Sequence, residues 1–297
     1  MAIEGICLCG TVRYAVDGPF AMMIHCHCSM CRKHHGSAFA TFVGAPLDGF
    51  RWLSGEDNIA TYQSSERGRR SSCRTCGSVT PILAPEIGLA LLPAGNLLDD
   101  PGLRPQAHVF VGSKASWYEI TDTLPQHAEY PPEFGATGVP QRAPEVRPGV
   151  VGGSCLCGDV HYEVTGPMVR AANCHCSRCR RARSAAHATN LFCKLDDFRF
   201  VSGEEQVRHY KVPEAQHFTV SFCERCGSAV PRKSPERGIV VIPAGSLDSD
   251  PGMRPSLHIF TDYKAPWFEI TDPLPRHAQM PPVVPPAGTS RSGASPA

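Results

Sequence analysis

Apolar positions along this chain come in short runs and alternations, without the three-to-four-residue rhythm that marks long helices. Gly10-Thr11-Val12-Arg13-Tyr14-Ala15-Val16 alternates, as does Gly158-Asp159-Val160-His161-Tyr162-Glu163-Val164, and each stretch leaves a pair of cysteines. Leu89 to Pro93 and Ile239 to Pro243 are apolar runs of buried-strand length, and His108 to Val111 is another. Turn signals such as Asp-Gly-Pro, Ser-Gly-Glu and Asp-Pro-Gly punctuate the chain. The pattern predicts a compact, mainly β fold.

The elements occur twice. Cys7, Cys9, Cys26, Cys28 and Cys31 recur 148 positions later as Cys155, Cys157, Cys174, Cys176 and Cys179. Cys73 and Cys76 recur 150 positions later as Cys223 and Cys226, and the two added residues fall after Tyr210, the counterpart of Tyr62. Asp100–Pro132 and Asp250–Pro282 are identical at 20 of 33 positions. Repetition on this scale predicts two tandem domains, at 1–132 and 151–282. Residues 133–150, rich in Pro, Gly and Ala, read as a linker, and 283–297 as a disordered tail.

Composition adds exclusions. Lysines and arginines number 29 against 28 acidic residues, a formal charge of +1, so no global field draws the chain to nucleic acid. No apolar run approaches the roughly 20 residues that span a bilayer, so no membrane partner is expected. The first residues carry no basic stretch followed by an apolar one, and a cytoplasmic protein is expected.

Fifteen cysteines change the picture most. Their clustering as C-x-C and C-x-x-C pairs suits metal binding better than disulfides, because two thiolates on one tight turn can face one ion. Seven cysteines are shared by the two copies, an odd number. A structural zinc site takes four protein ligands in a closed tetrahedron, whereas a catalytic one commonly takes three and leaves a position open. Seven therefore divides into one closed and one open site. Cys26-x-Cys28-x-x-Cys31 is a compact run able to wrap one ion, leaving Cys7, Cys9, Cys73 and Cys76 to clamp the start of the domain to its middle. The second copy repeats this with Cys174, Cys176 and Cys179, and with Cys155, Cys157, Cys223 and Cys226. About two zinc ions per domain are expected, with an iron–sulfur cluster as the alternative for a four-thiolate site. A histidine could close the smaller site, but His34 and His35 are matched by Ala182 and Arg183 in the second copy.

Three combined motifs carry a resemblance. They are Gly5-x-Cys7-x-Cys9-Gly10-x-Val12-x-Tyr14, then Cys26-His27-Cys28-Ser29-x-Cys31-Arg32, then Cys73-x-x-Cys76-Gly77, with their counterparts from Gly153, Cys174 and Cys223. At these residues the chain resembles the glutathione-dependent formaldehyde-activating enzyme family, which shares its domain with centromere protein V. The resemblance implies a β fold like the Mss4-like zinc-binding domains, in two tandem copies. It also implies a structural four-cysteine zinc, a three-cysteine zinc near a glutathione site, and addition of glutathione to formaldehyde, a carbon–sulfur lyase activity. The partners it implies are a small-molecule thiol and an aldehyde.

Further residues are candidates for that chemistry. His27 and His175 are placed to act as proton shuttles, and Arg32 and Arg180, directly after the third ligand, to raise the local positive potential. Lys114 and Lys264 could hold a glutathione carboxylate. His108 and His258 read as core histidines donating to backbone carbonyls, Trp117 and Trp267 as core, and Cys193, without a repeat partner, as a buried free thiol. The copies differ at His25 and Asn173, and again after the third cysteine, so they need not share a substrate. Packing of the two domains as a pseudo-dimer is a further expectation. The competing functions are a non-catalytic zinc-binding scaffold or interaction module, and a C-x-x-C redox module.

Overall fold

The computed structural model describes residues 2–66, 68–131 and 147–281. The expected linker lies outside the described residues as far as residue 146, and the expected tail at 283–297 lies wholly outside them.

Each repeat assembles the same pieces. A three-stranded antiparallel sheet joins Ile3–Ile6, Arg13–Val16 and Phe50–Ser54 in the first repeat, and Val151–Ser154, His161–Val164 and Phe198–Ser202 in the second. Its first hairpin explains two motif residues. Tyr14 pairs with Gly5 and Tyr162 with Gly153, and a Cβ on either glycine would fall about 2 Å from the tyrosine ring carbon Cζ. Only a residue without a side chain lets the ring lie across the neighbouring strand.

The larger sheet carries the chemistry. In the first repeat its order is Ala107–Val109, Met22–Cys26, Ala40–Pro46, Leu89–Pro93, Ile82–Ala84. In the second it is Arg232–Ser234, Ile239–Pro243, Ala188–Lys194, Arg170–Cys174, His258–Ile259, Arg276–His277. The expected strands at Leu89–Pro93 and Ile239–Pro243 are both present. The expected strand from His108 stops at Val109, because Phe110 turns to φ +59° and begins a helical turn. A separate hairpin, Ile59–Gln63 with Arg69–Cys73 or Val207–Lys211 with Thr219–Cys223, delivers the C-x-x-C pair.

Two seven-residue helices, α1 (Ser29–His35) and α2 (Ser177–Arg183), hold the repeats together. Helix α1 packs on Ala244–Ser246 of the second repeat, and α2 on Ala94–Asn96 of the first. The approach is close enough that a Cβ on Gly95 would lie 2.2 Å from the Ala185 nitrogen, and one on Gly245 would lie 2.3 Å from the Arg32 oxygen. Hydrogen bonds run both ways: His35 Nδ1–H to the Arg183 carbonyl at 2.8 Å, Ser37 Oγ to the His187 carbonyl at 3.1 Å, and Ser184 Oγ to the Val79 carbonyl at 3.0 Å. Lys33 forms a buried ion pair with Asp248. One apolar cluster contains Val43, Leu92 and Trp117 from the first repeat and Leu191, Ile242 and Trp267 from the second. Both tryptophans are core, as expected, and Cys193 is a buried free thiol. No helix among the described residues is long and apolar enough to cross a membrane.

Candidate functional site

Four groups of cysteines, two per repeat, bring their sulfurs within 4.8 Å of one another and can each hold a metal ion. They are Cys7, Cys9, Cys73 and Cys76; Cys155, Cys157, Cys223 and Cys226; Cys26, Cys28 and Cys31; and Cys174, Cys176 and Cys179. No disulfide joins any of the fifteen thiols. The grouping is the four-plus-three division that the ligand count implies.

The four-cysteine clusters suit a closed tetrahedral ion. Cys7 and Cys9 sulfurs are 3.4 Å apart and Cys9 and Cys73 3.7 Å; the second repeat has 3.3 Å and 3.7 Å at the matching pairs. Metal–sulfur bonds of about 2.3 Å in a tetrahedron put sulfurs about 3.8 Å apart. Backbone N–H groups of Val12 and Val160 donate to Cys7 and Cys155 at 3.3 Å. Ser78 and Ser228 accept from Leu8 and Leu156, tying each C-x-x-C loop to the domain's first loop. All-sulfur donor sets select a thiophilic ion, zinc among them.

In each three-cysteine cluster, the first sulfur ends a strand, the second caps a helix and the third lies within that helix. Cys28 precedes α1 and its sulfur accepts the Cys31 N–H at 3.3 Å; Cys176 stands in the same relation to Cys179. Cys176 is lowered to about 3, first by hydrogen bonds from Cys174 and Cys179, while Cys174 is pushed up to about 12, chiefly by Cys176. Phe110 and Phe260, both at φ +59°, pack beside the clusters. A left-handed phenylalanine is strained backbone, the kind that collects at functional sites. Only torsion angles reveal it, so the chain pattern had no signal for it.

The surroundings of the two clusters diverge. Against Cys174, Cys176 and Cys179 lies a cavity of about 530 Å³, walled by Arg178, Arg183, Asn190, Arg232, Arg237 and Tyr263 among others. Among the described residues no carboxylate lines it. Arg183 is buried, with its Nη2 3.5 Å from Asn190 Oδ1, and burial lowers its guanidinium to about 10, still cationic at neutral pH. In the first repeat the corresponding positions are Met30, His35, Phe42, Ile82 and Ile87, and Val220 of the cavity wall is replaced by Arg70. The Arg70 Nη2 lies 3.7 Å from the Cys31 sulfur.

The expected shuttles and carboxylate holders stand elsewhere. His27 is fully buried, its Nε2 2.8 Å from His108 Nδ1, and His108 Nε2 lies 3.0 Å from both Asp122 oxygens. The carboxylate draws the His108 proton to Nε2, so His108 Nδ1 accepts from His27 Nε2–H. His175, His258 and Asp272 repeat this chain. Burial, aided by His108, lowers His27 to about 3, and burial, aided by His187, lowers His175 to about 2. Both rings are neutral, and His175 is not among the cavity-lining residues. His108 and His258 bind carboxylates in place of the expected backbone carbonyls, because the turn after each tryptophan, of equal length in the two repeats, returns an aspartate to the ring. Lys114 and Lys264 donate to the carbonyls of Tyr118 and Phe268 in their own loops. Arg32 donates to the His27 carbonyl at 3.3 Å and Arg180 to the Tyr263 carbonyl at 3.1 Å. Both arginines are near enough to the capping thiols Cys28 and Cys176 for those thiolates to act on their charge.

Comparison with known proteins fits this duplicated layout. The family described as "Glutathione-dependent formaldehyde-activating enzyme" matches residues 2–113 and again residues 150–263. A Halomonas elongata protein named "Putative glutathione-dependent formaldehyde-activating enzyme" is 29% identical over 129 residues, covering 40% of this chain and 82% of that protein. The crystal structure of a Rhodobacter sphaeroides protein aligns at 29% identity over 33% of this chain and 89% of that one, with a TM-score of 0.28.

Proposed function

Because the chain belongs to the glutathione-dependent formaldehyde-activating enzyme family, matched once in each repeat, we propose that it joins a thiol to an aldehyde as a carbon–sulfur lyase. Glutathione is the proposed thiol and formaldehyde the simplest aldehyde. Family and cysteine clusters together support thiol and aldehyde handling in general. The finer reading rests on one observation, the cavity open against the three sulfurs of Cys174, Cys176 and Cys179.

The reaction balances without any outside oxidant. A carbon–sulfur bond forms, the carbonyl π pair moves to oxygen, and the thiol proton ends on that oxygen. Zinc held by Cys174, Cys176 and Cys179, when bound, would supply a thiolate form of the co-substrate at neutral pH. The chain's own residues do the rest. Arg183, cationic and facing the cavity beside Asn190, offers donors to the oxygen that gains charge during addition. Arg180 offsets negative charge at Cys176. Phe192, Phe218 and Phe260 line the wall and limit water around the reacting atoms.

Cobalt loading tests the reading. Sulfur-to-metal charge-transfer absorption is expected to intensify when glutathione is added, and the serine analogue of glutathione is expected to leave it unchanged. An unchanged spectrum at saturating glutathione removes the nucleophile from the proposal and leaves the non-catalytic scaffold.

A further inference from the structure

The two three-cysteine centres have the same sulfur geometry and opposite surroundings. The second opens on a cavity whose wall carries four guanidinium groups, Arg178, Arg183, Arg232 and Arg237, with no carboxylate among the described lining residues. Glu236, outside the lining, offsets part of the charge of Arg232 and Arg237, yet four arginines around one partly enclosed space remain costly, and an anion relieves the cost. Arg183 sets the requirement: it is 8% exposed, and the one described hydrogen bond of its guanidinium is the weak 3.5 Å approach to Asn190. Arg178 shares the helix of Arg183, and the other two come from a distant part of the chain. Arg178 is on α2, Arg232 begins an edge strand, and Arg237 is on the turn after that strand. Arg232 donates only to Ser234 at 3.3 Å among its described hydrogen bonds.

At the first centre these features are reversed. Three of the four arginine positions hold Met30, Ile82 and Ile87, and the buried one holds His35. The His35 Nδ1–H is committed to the Arg183 carbonyl across the repeat interface. Arg70, whose counterpart Val220 leaves room in the second cavity, instead brings its guanidinium to the Cys31 sulfur. Each capping sulfur thus has an arginine near it, but only the first cluster has a further guanidinium against its third sulfur, where the second faces the cavity.

We infer that the centres have divided their roles: the second binds the thiol, selecting an anionic co-substrate bearing carboxylates through Arg232 and Arg237, while the first, with Arg70 held against Cys31, is closed to the thiol. This inference rests on the thiol reading above. It assigns one thiol per chain where the sequence repeat alone implies two.

The test is a stoichiometric titration of the cobalt-loaded full chain with glutathione, read by charge-transfer absorption and by calorimetry. One equivalent is expected. Arg237→Gln and Arg232→Gln, both outside the core, are each expected to weaken glutathione about tenfold, the scale of a charge-assisted hydrogen bond. Neither is expected to weaken 2-mercaptoethanol, which has the thiol and no carboxylate. Ile87→Gln in the first repeat is expected to change neither. Two equivalents of similar affinity overturn the division of roles and leave the thiol reading standing. One equivalent that ignores both arginine substitutions overturns the anion selectivity. Calorimetric binding of one glutathione, weakened by those substitutions but with no change in cobalt absorption, keeps the cavity assignment and overturns the thiol reading.

Discussion

The two repeats present the same cysteine geometry and have diverged around it. In each, a strand end, a helix cap and a helix interior set three sulfurs together, with a strained phenylalanine packed alongside. Beyond that shell the second repeat has a cavity with an arginine wall, and the first has a guanidinium against its sulfur. If the proposed division of roles holds, metal-ligand spacing is a weak guide to activity within a duplicated chain. What distinguishes a working centre from a structural one is what occupies the side of the ion that the ligands leave open.

The comparison can be broken most severely at the four-cysteine clusters, where the repeats are alike. Cys73→Ser and Cys223→Ser each remove a ligand from a site worth about 10 kcal/mol or more of apparent folding free energy, comparable to a domain's whole stability. Because one apolar cluster spans both repeats, either change is expected to unfold the chain as a unit. Thermal denaturation followed by circular dichroism reads this; survival of the untouched repeat as a separate transition would contradict it.

At the three-cysteine clusters the repeats should part. Cys28→Ser and Cys176→Ser are each expected to lower metal content by one ion per chain, measured by elemental analysis. Only Cys176→Ser is expected to abolish adduct formation, measured by loss of free aldehyde, with Cys28→Ser retaining most of it. Equal losses would restore equivalence of the two centres.

A smaller effect comes from exchanging one wall residue. Val220→Arg places in the second repeat the side chain that closes the first, and is expected to weaken glutathione by about tenfold or more through lost space and competition for the sulfur. Unchanged affinity would mean that Arg70 does not close its own centre.

The smallest effect concerns pH. His187 replaces Phe39 in the interface, where its ring lies 5.8 Å from Phe39 and 5.4 Å from Phe268. Burial, then His258, lowers it to about 3 from an ordinary 6.5. The folded state therefore binds the proton less readily than the unfolded state. The stability contributed by the neutral ring is complete above about pH 6.5 and is lost as pH falls from there toward 3. His187→Phe, which makes the position symmetric, is expected to flatten the acid limb of denaturation between pH 6.5 and 5 by a fraction of the roughly 1.4 kcal/mol per pH unit that one group can supply. An unaltered limb would assign the acid sensitivity to the other buried histidines, among them His25, His34 and His35 of the first repeat.

What the sequence by itself determined is local or periodic. The repeat offset, the two strands at Leu89–Pro93 and Ile239–Pro243, and the four-plus-three grouping of sulfurs follow from spacings along a short stretch or from identity between copies. A tight turn fixes sulfur separation almost regardless of what surrounds it. The tertiary structure alone decided which residues face the open side of each centre. Arg183, Arg232 and Arg237 lie on three elements and carry no shared motif, and Arg70 is one arginine among several in a surface hairpin until the sheet brings it to Cys31. The helices escaped the pattern as well, since seven residues capped by a cysteine show too little periodicity to register. Lys114, Lys264, His27 and His175 looked suited to the chemistry by type and sequence proximity, yet their hydrogen bonds close within their own loops and core. Charge and residue type are written in the chain; the direction in which a side chain points depends on packing between segments far apart in sequence, and the cavity exists only after distant segments of the second repeat have folded around it.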